Sequence, residues 1–177
     1  DLYVSVNFSA TDFEESNFLE VFNEILERNN TPAKRIHIEI TERLLLKKPK
    51  NVKETLDSCR KLGMKVVIDD FGTGYSSLSY LHQYPIDTLK IDRSFVQNMR
   101  SDKAVLGLIK SIITLRENMD IDIIAEGVEE LEEAQLLAQL KCDSVQGYYF
   151  SRPVPETQLR ALLEKSNPPR NVVESVG

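Results

Sequence analysis

The sequence contains few of the residues from which disulfide frameworks, zinc sites and nucleophilic catalytic sites are built. Its 177 residues include two cysteines, two histidines and no tryptophan. Cys59 and Cys142 lie far apart and form no Cys-x-x-Cys pattern, which argues against a zinc site and indicates a reducing, cytoplasmic setting. His37 and His82 have no evident serine or cysteine partner, so no Ser-His-Asp or Cys-His site is predicted.

Long apolar runs and an excess of positive charge are also missing. No apolar run approaches the roughly 20 residues that span a bilayer, and the first residues do not read as a signal peptide. Lysine and arginine total 22 against 28 aspartates and glutamates, which gives a net charge of −6 without a basic stripe. We expect no nucleic-acid polymer as a partner and no membrane contact by this segment, whereas a membrane anchor elsewhere in a parent chain stays open.

Composition indicates one globular domain. A hydrophobic fraction of 41% and a charged fraction of 28% over 177 residues suffice for one core but not for two domains. The sequence opens at Asp1 without a methionine, and residues 166–177 carry Pro168 and Pro169 with little periodic apolar signal. We predict a domain over residues 1–165 that lacks its N-terminal strands, followed by a flexible tail over residues 166–177.

Short β-branched runs alternate with segments whose apolar residues recur at helical spacing. The predicted strands are residues 4–9, 35–41, 65–71, 88–92, 121–128 and 144–150. The predicted helices are residues 17–28, 51–62, 76–82, 104–117, 129–140 and 156–165, with Gly63 ending the second one. Strands joined by crossover helices predict a parallel α/β sheet, either open and doubly wound or closed into a barrel.

The alternation of side chains along each strand favours the barrel. In residues 35–41 the three isoleucines share one face, while His37, Glu39 and Thr41 share the other. Each strand delivers a polar residue near its C-terminal end, on the face that forms the interior mouth of a barrel. An open sheet would cover that face with helices. We therefore predict a TIM-type (β/α) barrel, incomplete at the N-terminus because six of about eight strands are visible.

The polar residues at the strand ends form an oxygen-rich set with one amine. Mg²⁺ and Mn²⁺ prefer carboxylate and amide oxygens, and two such ions can hold the attacking and leaving oxygens of a phosphoryl group. Lys90 is placed to hold a nucleophilic water or a phosphate oxygen, and metal-activated water is the predicted nucleophile. The set comprises Asn7, Glu39, Asp69, Asp70, Lys90, Asp92, Glu126 and Gln146.

Each of these residues also has a purely structural interpretation. A single aspartate at a strand end is more often a helix cap or a solvated loop residue than a metal ligand. Gly72 and Gly74 on their own are typical of a tight turn. The acidic run that begins at Glu129 is typical of a solvated helix N-terminus, which the helix dipole favours.

Taken in order, six motifs resemble those of the EAL domain family. They are VNFS at residues 6–9, IEITE at 38–42, DDFGTGYSSL at 69–78, LKIDRSF at 89–95, AEGVE at 125–129 and QGYYF at 146–150. The resemblance covers nearly the whole chain up to about Pro155. It implies a bacterial, metal-dependent phosphodiesterase that opens cyclic di-GMP to linear pGpG.

The resemblance also implies roles for individual residues. It assigns metal ligation to Asn7, Glu39, Asp69, Asp70 and Asp92, with Glu126 also at the metal site. Lys90 then activates or positions the water, and Gln146 supports the site. Glu42 anchors the loop from Asp70 to Ser77, and Glu129 is a further matching residue. We also predict that Gln146, Phe150 and Pro153 contribute to substrate binding.

One expected motif is missing from these 177 residues. The Glu-Ala-Leu strand that names the family, whose glutamate is a metal ligand, lies upstream of the position of Asn7 in that family. We therefore expect the fragment alone to be inactive or nearly so. The resemblance further implies Mg²⁺ or Mn²⁺ as cofactors, a homodimer, and a GGDEF or sensory domain in the parent chain.

Two other functions fit parts of the sequence. A catalytically inactive relative could bind cyclic di-GMP or a protein partner without hydrolysis, although such relatives usually lose several acidic residues that are all present here. An enolase-like enzyme also places carboxylates and a lysine base at successive strand ends. That alternative gives no role to the Gly72-Thr73-Gly74 loop or to the strand ending at Glu126.

Overall fold

The computed structural model describes residues 2–15, 17–47, 52–74 and 78–165. Six strands lie in one sheet in the order of the sequence. The pairs β1–β2, β2–β3 and β5–β6 are parallel. The strands are β1 (Val4–Asn7), β2 (Ile36–Thr41), β3 (Lys65–Phe71), β4 (Thr88–Ile91), β5 (Asp122–Glu126) and β6 (Ser144–Gln146).

Helices connect the strands in the described residues. The α-helices are α1 (Ala10–Glu14), α2 (Phe18–Arg28), α3 (Glu42–Leu46), α4 (Val52–Lys61), α5 (Arg93–Asn98), α6 (Lys103–Met119), α7 (Leu131–Gln139) and α8 (Glu156–Lys165). Two 3₁₀-helices cover Ala33–Arg35 and Leu78–Gln83. None of these helices is long and apolar enough to cross a membrane.

The strand order decides between the two predicted architectures. In a doubly wound sheet the order reverses at a switch point, whereas in a (β/α) barrel each strand follows its predecessor. Here the order runs from β1 to β6 without reversal. The prediction of a TIM-type α/β barrel that is incomplete is therefore confirmed.

By its internal contacts the chain divides into two compact units. The first comprises Asp1–Lys90 and Met119–Ile121, and the second comprises Ile91–Asn118 and Asp122–Gly177. In the first unit, β2 is almost fully buried and β3 is buried in its central part, and Ile38, Val66 and Ile68 have no exposed surface. Beside them, the ring of Phe8 contacts the rings of Phe13, Phe18 and Phe22.

The second unit has its own core. Ile109 of α6, Ile123 of β5 and Leu137 of α7 have no exposed surface. The end of β6 lies very close to the chain after β5, because a Cβ atom on Gly147 would lie 2.1 Å from the carbonyl oxygen of Val128. Only glycine fits there without displacing backbone, so this position sets how closely the two segments approach.

The predicted boundaries differ from the observed ones mainly at strand ends and short helices. β3 and α8 have the predicted bounds, and Gly63 ends α4 with a φ of 97°. β5 and β6 are shorter than predicted, since the chain leaves the strand at Gly127, whose φ is 72°, and at Gly147.

The prediction missed the short helices α1, α3 and α5. The helix predicted from residue 76 is a 3₁₀-helix, and residues 76–77 and the predicted tail lie outside the described residues.

Both cysteines are buried in the folded protein, which disfavours their thiolate forms. Burial raises the pKa of Cys59 to about 12 and that of Cys142 to about 11. Because the thiolate is the reactive form, we expect neither thiol to react with Ellman's reagent at pH 8, and both to react after unfolding in guanidinium. Absorbance at 412 nm measures this, and rapid release of colour from the folded protein would contradict it.

Candidate functional site

A buried ion cluster lies at the end of the central strands of the first unit. The Lys90 Nζ atom lies 3.0 Å from Oε1 of Glu39 and 3.2 Å from Oδ1 of Asp69. The three side chains are only 5%, 8% and 16% exposed, respectively. Charged residues are almost never buried to this extent unless they are paired. Three of the eight residues in the predicted strand-end set therefore lie together in one ion cluster.

Strand alternation explains why the cluster forms. Glu39 lies between Ile38 and Ile40 on β2, and both isoleucines are buried in the core. Lys90 lies in the same way between Leu89 and Ile91 on β4. Because successive side chains point to opposite faces, the apolar residues fix which face each charged residue takes. The register of the strands then determines which charged residues meet.

The charge balance of the cluster favours a further cation. Two carboxylates and one ammonium leave a formal charge of −1 in a space with little access to water, where electrostatic interactions are strong. Both carboxylates already converge on one positive charge, and their oxygens are the ligand type that Mg²⁺ and Mn²⁺ prefer. The residues present therefore fit a divalent metal ion.

Asn7 and Asp70 are the other predicted metal ligands of this unit. Asn7 ends β1 and is the register partner of Glu39 in the β1–β2 pair. Asp70 follows Asp69, its backbone is left-handed with a φ of 54°, and its amide donates to Oδ1 of Asp69 at 3.0 Å. Both Asn7 and Asp70 are exposed. A left-handed backbone at an aspartate costs conformational energy, and such strained residues cluster at functional sites.

Glu42 fixes the beginning of the glycine-rich loop that follows β3. Its side chain is fully buried, and Oε2 accepts a hydrogen bond from the amide of Gly72 at 3.0 Å. A Cβ atom on Gly74 would lie 3.3 Å from the Glu42 carboxyl group, so the loop passes tightly over it. Glu42, the predicted loop anchor, thus contacts the loop at Gly72 and Gly74. Residues 75–77 of the predicted loop lie outside the described residues.

In the second unit, Glu126 and Gln146 are neighbours. They are register partners at the ends of β5 and β6. The amide of Val128 donates to the carbonyl oxygen of Gln146 at 3.1 Å, which continues the pairing beyond the strands. Glu126 is half-buried and Gln146 is exposed. These two predicted site residues therefore lie side by side.

Asp92 and Glu129 both have structural partners in the second unit. Asp92 caps α5, and its Oδ1 atom accepts hydrogen bonds from the amide of Ser94 at 3.0 Å and from the Ser94 hydroxyl. Glu129 forms an ion pair with Arg93 at 2.8 Å, in which both side chains are well exposed. The structural interpretation of a strand-end aspartate as a helix cap thus applies to Asp92, whose Oδ2 atom takes part in neither bond.

The predicted substrate-binding residues Phe150 and Pro153 are both exposed. The Phe150 ring meets Tyr149 edge to face, with ring centroids 5.0 Å apart. The guanidinium of Arg152 lies 4.7 Å from the centre of the Tyr148 ring. Such aromatic surfaces can stack on a nucleobase.

Two arginines of this unit were not predicted to have a role. Arg93 pairs with Glu129 and also lies against Gly127, where an added Cβ atom would be 2.3 Å from its side chain. Arg152 stacks on Tyr148. Arg93 lies within the motif at residues 89–95, and Arg152 follows the aromatic motif at residues 146–150. A positively charged residue beside acidic or aromatic residues was the sequence signal that could have predicted these contacts.

The buried ion pairs of Lys90 can be tested by measuring the stability of the folded protein. Removing one partner of a buried ion pair typically costs about 3–5 kcal/mol because the remaining charges are left without compensation. We expect Lys90→Met to lower the free energy of unfolding by about this amount in metal-free buffer, as measured by urea denaturation. Lys110→Met, at an exposed site on α6, should change it by less than about 0.5 kcal/mol. Equal effects of the two substitutions would contradict the buried cluster.

Comparisons with known proteins find relatives over most of this chain. The cyclic di-GMP phosphodiesterase NbdA of Pseudomonas aeruginosa is 36% identical over 162 residues, which cover 92% of this chain and 21% of that protein. The EAL enzyme Bd1971, in a form with cAMP and cyclic di-GMP bound, superposes with a TM-score of 0.87 at 41% identity and covers 91% of this chain and 43% of that chain. The manganese and cy-diGMP complex of Klebsiella pneumoniae BlrP1 has a TM-score of 0.80 at 29% identity, with coverages of 85% and 39%.

These matches differ greatly in length from this chain. The chain spans about a fifth to a quarter of the length of the first curated relatives it matches. The EAL domain model matches residues 1–153, which include every candidate site residue. The chain therefore belongs to the EAL domain family.

Proposed function

We propose that this chain contributes the catalytic residues of a phosphodiesterase that hydrolyses cyclic di-GMP to linear pGpG with Mg²⁺ or Mn²⁺. The observation that carries the proposal is the buried Lys90 ammonium between the carboxylates of Glu39 and Asp69. Support comes from NbdA, a relative named as a cyclic di-GMP phosphodiesterase, and from Bd1971 and BlrP1, whose structures contain the cyclic dinucleotide.

The metal would be held by oxygen ligands at the strand ends. Asn7, Glu39, Asp69 and Asp70 supply an amide and three carboxylates, and Asp92 supplies its Oδ2 atom. Manganese in the BlrP1 complex supports this cofactor class. Both Mg²⁺ and Mn²⁺ accept such ligands. When bound, such ions acidify water and neutralise charge on the phosphate.

The residues of the chain have distinct tasks in the reaction. The oxygen of a water molecule bonds to phosphorus as the water gives up a proton, one ester bond to a ribose oxygen breaks, and the leaving ribose oxygen takes up a proton. The Lys90 ammonium orients the water or a phosphate oxygen by donating a hydrogen bond. Glu39 and Asp69 hold Lys90 in position, since each lies within 3.2 Å of its Nζ atom.

Other residues would bind and enclose the substrate. Glu126 and Gln146 offer a carboxylate and an amide side by side for hydrogen bonds at the site. Phe150 and Pro153 give an exposed apolar surface on which a guanine base can stack. Glu42 holds the loop after β3 through Gly72, and Glu129 holds Arg93.

The proposal extends to the larger protein. The relatives are four to five times longer than the matched segment, which leaves room in them for further domains. We propose that a GGDEF or sensory domain accompanies this segment in its parent chain and that the assembly is a homodimer. A cytoplasmic location, with or without a membrane anchor on the parent, follows from the same proposal.

Hydrolysis is tested by chromatography of the products. We expect the natural full-length protein containing this chain to form pGpG from cyclic di-GMP with Mg²⁺ or Mn²⁺, and to form none with EDTA. Glu39→Gln and Asp69→Asn should each lower kcat by at least about 100-fold, because each removes a charge that holds both the metal and Lys90.

The matched control for these variants is Glu117→Gln, at an exposed position on α6. It should retain the activity of the unsubstituted protein. A folded protein that binds the dinucleotide in the presence of metal but forms no product would instead establish a receptor for cyclic di-GMP.

A further inference from the structure

An aspartate joins the beginnings of two neighbouring strands in the first unit. Asp87 immediately precedes β4, and Val66 is the second residue of β3. The amide of Asp87 donates to the carbonyl oxygen of Val66 at 2.9 Å. The amide of Val66 donates to Oδ2 of Asp87 at 2.8 Å. These two hydrogen bonds are here called the Val66–Asp87 clasp.

The second unit repeats this arrangement with different residues. Asp143 immediately precedes β6, and Ile123 is the second residue of β5. The amide of Ile123 donates to Oδ2 of Asp143 at 2.9 Å. The next residues along each strand, Ile124 and Ser144, are register partners. This contact is called the Ile123–Asp143 clasp.

An arginine in the last turn of a helix binds each of the two aspartates. Arg60, in the last turn of α4, places Nη2 2.9 Å from Oδ1 of Asp87. Arg116, in the last turn of α6, places Nη1 2.6 Å from Oδ1 of Asp143. In both clasps one carboxylate oxygen faces the arginine and the other faces the strand amide. Each aspartate is thereby fixed from two directions.

Both clasps lie three residues before a pair of candidate site residues. From Val66 and Asp87, three residues along each strand lead to Asp69 and Lys90, whose charged atoms are 3.2 Å apart. From Ile123 and Asp143, three residues lead to Glu126 and Gln146, which are register partners. At about 3.3 Å per residue, each clasp lies about 10 Å from its pair of site residues, toward the beginning of the strands.

We propose that Asp87 and Asp143 are positioning residues that set the register of β3 against β4 and of β5 against β6, and so bring the paired site residues together. Backbone pairing alone does not set register, because its pattern repeats every two residues. A slip of two residues keeps every side chain on its face. It would nevertheless displace Lys90 along its strand by about 6.6 Å relative to Asp69. A carboxylate at one fixed point removes this ambiguity.

The importance of this register for catalysis rests on the proposed function, but the register itself does not. It is tested by labelling Lys90 with an acetylating reagent in EDTA, followed by mass spectrometry. The Lys90 side chain is only 5% exposed, so it should be protected in the unsubstituted protein. We expect Asp87→Ala to increase its labelling rate at least tenfold under conditions where circular dichroism shows a folded protein.

Two variants separate register from general stability. Asp102→Ala removes a carboxylate that caps the start of α6 by accepting from the amide of Ala104, without touching a strand. When each variant is measured at the same number of degrees below its own melting temperature, Asp102→Ala should leave Lys90 protected. Asp87→Asn keeps an oxygen for the Val66 amide and should restore most of the protection. Equal labelling of Lys90 in Asp87→Ala and Asp102→Ala would overturn the proposal.

The second clasp has its own measurement. The amide of Val128 donates to Gln146 only when β5 and β6 are in register. We expect Asp143→Ala to speed hydrogen exchange at Val128 at least tenfold by NMR, and Asp143→Asn to do so far less. If Asp87→Ala or Asp143→Ala fails to fold, Asp87→Glu or Asp143→Glu replaces it. The glutamate keeps the negative charge but displaces the carboxylate oxygen that accepts from the strand amide. Unchanged protection in those variants would likewise overturn the proposal.

Discussion

The buried contact of Lys90 with Glu39 and Asp69 is the interaction on which the rest of the site depends. Three charged side chains are removed from water together, and each is tolerable only because the others are present. Apolar residues on either side hold their strands in the core and fix the face on which each charge lies. The remaining formal negative charge and the carboxylate oxygens fit a divalent cation, which is the cofactor class of the proposed phosphodiesterase.

Register is the second requirement, because alternation alone does not bring particular residues together. Two aspartates at the beginnings of β4 and β6 bind the amides of the preceding strands, and an arginine holds each of them. The chemistry lies at one end of the strands and the register-setting contacts at the other. This division agrees with the general rule that one face of a barrel serves catalysis and the other serves stability.

Much of the fold could be predicted from the sequence, because its signals are periodic. The bounds of β3 and α8 follow from a long apolar strand and from a helix that begins after Pro155. Helices α1, α3 and α5 have only five or six residues, too few to show a helical period. The ends of β5 and β6 depend on the close approach at Gly147, which is a tertiary contact. The cluster around Lys90 could be predicted from alternation, whereas the roles of Arg93, Asp87 and Asp143 depend on partners distant in sequence.

The proposed function requires that the carboxylates of Glu39 and Asp69 bind a divalent metal while Lys90 faces the phosphate of the substrate. The most direct measurement is a crystal structure of the full-length protein with Mn²⁺ and cyclic di-GMP, with the metal located by anomalous scattering. We predict an anomalous peak about 2.1 Å from oxygens of both carboxylates, with Lys90 within hydrogen-bonding distance of the phosphate or its attacking water. Manganese bound elsewhere, or Lys90 beyond hydrogen-bonding distance of both the phosphate and its attacking water, would contradict the proposed function.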